Sequence, residues 1–213
     1  MSTIQRLSCA ARVATLATLL AVYCGSVLAQ EPPASRLLEQ VTTAMGGRER
    51  LQSLNNFVYT GFGQQIYQDG GGNITSDVDA PPKWRAVADA QRSVDLKASR
   101  AVSQERRSNM FPFAAPFGLS WNRNSSLQTG ADLLDHPLPA VLAALDPAAK
   151  LGAVTVEGGK SVLHFTTKDG TKVWMGVDPA TQLPAWTRRV IPHINLGDVA
   201  YTAHFTGYVP WDG

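Results

Sequence analysis

The last third of the chain alternates apolar and polar residues with a period of two, interrupted by tight-turn signals. This pattern constrains the fold more than any other feature. Leu163 and Phe165 share one parity in Ser161–Thr167. Val173, Met175 and Val177 do so in Lys172–Val177. A further strand is read over Leu183–Ile191. In Val199–Tyr208, Val199, Tyr201, Ala203 and Phe205 oppose Ala200, Thr202, His204 and Thr206. Asp169-Gly170, Asp178-Pro179-Ala180-Thr181 and Asn195-Leu196-Gly197-Asp198 separate the runs. Successive side chains of a strand point to opposite faces, so such runs bury one face each. Joined by short turns, they form an antiparallel meander.

Upstream the period changes. Leu37, Leu38, Val41, Ala44 and Met45 fall on one helical face, with Ser35 as the expected N-cap and Gly46-Gly47 as the stop. A short helical turn is expected over Glu49–Leu54. A strand follows from Phe57, with Val58, Phe62 and Ile66 expected inward. Lys83 to Arg100 reads as one strand, or two separated near Arg92-Ser93, with Trp84, Ala86, Ala88, Ala90, Val94, Leu96 and Ala98 on the buried side. Leu138, Val141, Leu142 and Leu145 mark a helix that Pro137 opens and Asp146-Pro147 ends. The expected fold class is α+β, mostly β. It is a curved antiparallel sheet, an unclosed half-barrel, with short helices on its concave face.

The first 29 residues have the layout of a secretory signal. Arg6 and Arg12 precede an apolar run, Val13–Val22, and Val27-Leu28-Ala29 suits cleavage after Ala29. The run is half the length that a membrane-spanning helix needs. Cys24 would be the lipidated residue of a lipoprotein signal, but the bulky Tyr23 before it fits that processing poorly. Cleavage removes both cysteines, Cys9 and Cys24, and with them any disulfide or thiol chemistry. Of the 213 residues, 184 then remain, residues 30–213, enough for one domain with a real core. Arg6 and Arg12 are the only charges removed, so the mature chain is electrically neutral overall. This disfavours nucleic-acid binding through phosphate neutralisation. The expected location is the periplasm or the exterior, with no membrane span in the mature chain.

Chemistry-bearing motifs are sparse. His136, His164, His193 and His204 form no His-x-His or His-x-x-x-His pair. His164 and His204, on strand parities opposite the apolar set, read as solvent-face residues, and a zinc site would have to gather His164, His193 and His204 across strands. No Gly-x-Ser-x-Gly elbow or phosphate-binding loop is present, and Gly61-Phe62-Gly63 lies in a strand context. Asp69, Asp77 and Asp79 lack the spacing of a calcium loop. No catalytic residue, metal ligand or cofactor is therefore assigned. The remaining feature is an irregular apolar segment, Met110, Phe111, Phe113, Phe117 and Trp121, broken by Pro112 and Pro116. Aromatics on an irregular loop above a concave sheet suit the lip of an apolar ligand pocket, with Leu142 on the opposite wall.

These residues carry a resemblance. The relevant features are the signal, the helix ending Ala44-Met45-Gly46-Gly47, Leu51 and Leu54 before a strand, and the helix Pro137–Leu145. Gly170, then Val177-Asp178-Pro179-Ala180-Thr181-Gln182-Leu183-Pro184, and Gly197-Asp198 before a strand ending Phe205-Thr206-Gly207-Tyr208, complete it. The chain resembles the N-terminal region that precedes the metallo-β-lactamase-fold domain in certain exported bacterial hydrolases. That region is similar to the outer-membrane lipoprotein-carrier superfamily, an unclosed barrel wrapped around helices. The resemblance implies an accessory or carrier domain lacking its last strand or strands. It implies an apolar or acyl ligand, and a downstream hydrolase domain or another envelope protein as partner. The lactamase-fold motif His-x-His-x-Asp-His is absent, so no catalytic residue carries over. Three functions stand as expectations: a non-catalytic carrier-type binding domain, the leader of a hydrolase, and a structural interaction protein of the envelope.

Overall fold

The computed structural model describes residues 33–66, 84–108, 121–193 and 197–210. The signal segment, the glycine turn at 70–73 with Asp69, Asp77 and Asp79, and most of the aromatic segment lie outside the described residues. Helix α1 (Pro33–Ala44) and helix α2 (Arg48–Ser53) open the fold. Strands β1 (Asn56–Ile66), β2 (Trp84–Asp95), β3 (Arg100–Ser108) and β4 (Trp121–Thr129) form one antiparallel sheet in sequence order. A 3-10 helix (Gly130–Asp135) and helix α3 (Pro137–Leu145) cross to a second sheet. Its strands are β5 (Lys150–Glu157), β6 (Lys160–Thr166), β7 (Lys172–Val177), β8 (Pro184–His193) and β9 (Gly197–His204), again antiparallel and in sequence order. The fold is mostly β with a few short helices, and neither sheet closes. The sheet expected as one piece is two.

The helices cover the inner face of the five-stranded sheet. Leu37, Leu38 and Val41 of α1 and Val141, Ala144 and Leu145 of α3 share one core with Leu163, Phe165, Val173, Met175 and Val177. Helices of nine and twelve residues are too short to persist alone, so this packing sustains them. The helix α1 starts at Pro33, two residues before the expected cap Ser35, because proline is already set to the φ of a first helical turn. It stops as expected: Gly46 and Gly47 both take positive φ, and the Gly47 N–H donates to the Thr42 carbonyl at 2.9 Å.

Three strand readings need correction. In β1 the inward residues are Phe57 and Tyr59, while Val58 and Phe62 are exposed. The expected parity was inverted because the aromatic pair finds a partner in the Val94 and Ala101 cluster, and a one-residue slip turns every side chain over. The break after β2 lies at Leu96–Ser99, not at Arg92-Ser93. There the Ala98 N–H donates to Asp95 Oδ1 at 3.0 Å, and Ser99 takes positive φ. Strands β3, β4 and β5 were not foreseen. In β9 the expected parity holds, with Ala203 opposite Thr187 and Tyr201 opposite Arg189, but Tyr201 stays exposed. Among the described residues β9 pairs on one side only.

The outer face of the five-stranded sheet carries its own cover. Gly176 on β7 sits opposite Trp186 on β8, and the indole lies across the space a side chain would occupy. Arg188 stacks over that indole at 4.6 Å and holds both carboxylate oxygens of Glu157, at 2.7 and 3.2 Å. Trp186 and Val162 are buried as a result.

Two substitutions test these arrangements. Gly176→Ala drives a methyl into the indole and should cost about 2–3 kcal/mol in urea unfolding. Thr187→Val removes the hydroxyl that donates to the Leu134 carbonyl at 2.7 Å, leaving that carbonyl unpaired, and should cost about 1–3 kcal/mol.

Candidate functional site

Two neighbouring features meet at the crossover between the sheets. The first is a cleft of about 130 Å³ between the 3-10 helix, α3 and the β6–β7 turn. Leu96, Leu133, Pro139, Leu142 and Ala143 give it apolar walls, and Asp146, Lys168 and Asp169 give it a charged rim. Lys168 Nζ stands 3.6 Å from Asp146 Oδ2. The helix α3 presents this wall because its apolar residues surround it: Val141, Ala144 and Leu145 face the core, and Leu142 and Ala143 are left half-buried at the margin. The β6–β7 turn closes the far side through Gly170, whose positive φ lets its N–H reach the Thr167 carbonyl at 2.9 Å.

The second feature is a polar cluster on the inner face of the four-stranded sheet. His136 is the N-cap of α3, its Nδ1 accepting the Leu138 N–H at 3.2 Å, which leaves the ring proton on Nε2. Its ring lies against Phe57 at 4.8 Å and Tyr59 at 5.1 Å. Burial, and secondarily the Arg92 charge, hold its pKa down to about 4, so it is neutral at pH 7. Arg92 lies over the Tyr59 ring at 5.6 Å and donates to both oxygens of Asp135, at 3.2 and 3.4 Å. Burial raises the Asp135 carboxyl, and the Arg92 guanidinium offsets part of that rise. Burial likewise raises the Tyr59 phenol. On the facing sheet Arg189 reaches Asp132 at 3.3 Å and lies over Tyr201 at 5.3 Å. Gln128 Oε1 and Arg189 Nε are buried without a hydrogen-bond partner among the described residues.

Of the residues expected to line a pocket, Leu142 lines the cleft. Trp121 opens β4, and Met110, Phe111, Phe113 and Phe117 lie outside the described residues. The inner face of the five-stranded sheet, where an acyl chain was expected, is filled by helix side chains: Val41 and Val141 pack there on Leu163 and Met175, and all four are fully buried. His164 and His204 lie on β6 and β9, with two strands between them, and His164 Nε2 is within 2.9 Å of Thr155 Oγ1. Among the described residues no three His, Cys, Asp or Glu side chains stand together as a metal site. No helix among them is long and apolar enough to cross a membrane. The polar cluster is the part that sequence reading missed. Arg92 was taken as a break point, although it shares its parity with Val94, a placement that would already have put a cation on the buried face.

The His136 imidazole is neutral and engaged as a helix cap, so it holds α3 in place. This has a consequence for pH. Unfolded, His136 protonates near 6.5; folded, it does so near 4. Its contribution to stability is complete above pH 6.5 and is lost as pH falls toward 4, by up to about 3 kcal/mol. Asp135, whose carboxyl is raised, acts in the opposite sense and reduces that loss. His136→Asn keeps a capping oxygen but does not titrate. The urea midpoint of the variant, compared between pH 7 and pH 4.5, should fall much less than that of the parent.

In comparisons with known proteins, no family model matches the chain, and no curated protein matches it.

Proposed function

We propose that this chain is a non-catalytic binding domain of an exported protein, of the lipoprotein-carrier type, and that it takes a small apolar group in the cleft beside α3. The observation that carries this reading is the cleft itself, with leucine, proline and alanine walls inside a charged rim. Few, well-placed polar groups around an apolar floor are the usual form of a ligand site. Its size limits the ligand. A drug-sized molecule needs about 300 Å³ or more, whereas this cleft matches about four waters. It fits the terminal carbons of an acyl chain or one aliphatic side chain, not a whole lipid. Lys168 at the rim would stand near an anionic or carbonyl end group.

A solvatochromic fatty-acid probe tests the reading. The parent protein should bind it at micromolar concentration with a blue-shifted emission. Ala143→Trp fills the cleft from its margin, and should weaken binding at least tenfold while leaving the circular dichroism unchanged. Absence of binding by the parent, or undiminished binding by Ala143→Trp, would remove the support for a ligand at this place.

A further inference from the structure

The two sheets treat their outer faces differently. The five-stranded sheet covers the centre of its outer face with Trp186, Arg188 and Glu157 and leaves the single Val190 half exposed beside them. The four-stranded sheet leaves apolar residues bare. Strand register places Val58, Ser93, Val102 and Leu127 directly across from one another, one residue from each strand. Val58 is 57% exposed, Val102 42% and Leu127 67%. Three apolar residues in one row across a four-stranded sheet, with Ser93 between Val58 and Val102, form a patch that proteins normally cover.

The charges flanking this row indicate what covers it. On the same face, Asp95 of β2 stands opposite Arg100 of β3, and Asp89 of β2 opposite Arg106 of β3. The pairs are 3.5 and 2.8 Å apart. Acids thus occupy one central strand and bases the other, on both sides of the apolar row. Consider two such faces opposed, related by a two-fold axis that runs parallel to the strands between β2 and β3. The β2 strand of each copy then crosses over β3 of the other, and β1 over β4. Asp95 meets Arg100, Asp89 meets Arg106, Ser93 meets Val102, and Val58 meets Leu127, each contact occurring twice. A two-fold axis perpendicular to the strands instead keeps β2 over β2 and β3 over β3, so that no placement of it brings an acid of one copy over a base of the other. Acids meet bases, and the apolar row meets itself, in the first orientation alone, and such self-complementarity is what an isologous interface requires.

We propose that the outer face of the four-stranded sheet is a homodimer interface, and that its occupant is a second copy of this chain. The dimer is a two-layer sandwich of aligned sheets. Four strands about 4.8 Å apart and about eight residues long present roughly 500 Å² each, or about 1,000 Å² in total. That lies at the low end for specific complexes, so the dimer dissociates at micromolar concentration and is salt-sensitive.

Charge reversal tests the proposal. Protein purified after expression of the full chain is followed by sedimentation velocity from about 2 to 200 µM, a range suited to so small an interface. The parent should double in mass across the range. Asp95→Arg alone sets bases against bases, and Arg100→Asp alone sets acids against acids; each should weaken self-association at least tenfold. Mixing the two variants one to one should restore a dimer near parental affinity, because the base-only chain then faces the acid-only chain. Leu127→Lys, away from both ion pairs, should also weaken association. Circular dichroism checks that each variant remains folded. A parent that stays monomeric throughout would overturn the proposal and give this face to some other partner. A dimer indifferent to the single reversals, or a mixture that stays monomeric, would overturn it as well.

Discussion

Six residues of the crossover are held by both sheets, and the arrangement around them follows from how they are held. The 3-10 helix Gly130–Asp135 sends successive leucines in opposite directions: Leu133 into the small cluster of the four-stranded sheet, Leu134 into the main core. Its carbonyl at Leu134 accepts the Thr187 hydroxyl of β8. Its two carboxylates are bound from opposite sides, Asp135 by Arg92 of β2 and Asp132 by Arg189 of β8. A segment this short has little stability of its own, and buried ion pairs offset desolvation only when their geometry is good. Both sheets therefore have to be in place for the helix to exist, and the helix has to exist for α3 to start at His136.

This junction explains why the interior is apolar at one end and polar at the other. The five-stranded sheet meets α1 and α3, whose buried side chains are aliphatic except for Thr42, and its hydroxyl bonds back to the Leu38 carbonyl of its own helix. The four-stranded sheet meets carboxylates and an imidazole, so its inner face carries Arg92, Tyr59, Ser103 and Gln128 alongside Val94 and Ala101. An apolar ligand is excluded from the first region by packing and disfavoured in the second by desolvation of the charged groups. The cleft lies at the margin between them, where α3 runs out of core to cover and Leu142 and Ala143 form its wall.

The outer faces show the same economy. A tryptophan laid over a glycine, with an arginine on the tryptophan, covers the centre of one sheet using its own residues. The other sheet keeps its apolar row exposed, bounded by acids on one strand and bases on the next. The proposed ligand cleft and the proposed dimer face are lined by different residues.

Local order along the chain was legible where one residue pattern sufficed. The helices at Pro33–Ala44 and Pro137–Leu145, and the strands bearing Leu163, Phe165, Val173, Met175 and Val177, follow from periodicity, because each packs against a uniformly apolar partner. The fold class followed from these elements alone. Strands β3 and β4 were not legible, since RAVSQERRS and WNRNSSLQT pack against charges and amides and carry no apolar alternation. Strand β5 was missed despite Gly158-Gly159, whose positive φ values make the two-residue turn of a hairpin. Of the site, Leu142 could be read from helical spacing and the inward placement of Arg92 from its parity with Val94, whereas Asp132, Asp135 and Arg189, and the partner of Arg92, could not. The sequence by itself determined which segments would be helix or apolar strand, because that depends on neighbours a few positions away. Only the tertiary structure decided which face of β1 turns inward, which charges are paired, and that the sheet divides in two. Those outcomes depend on contacts between residues more than forty positions apart, such as Arg92 with Asp135 and Leu134 with Thr187.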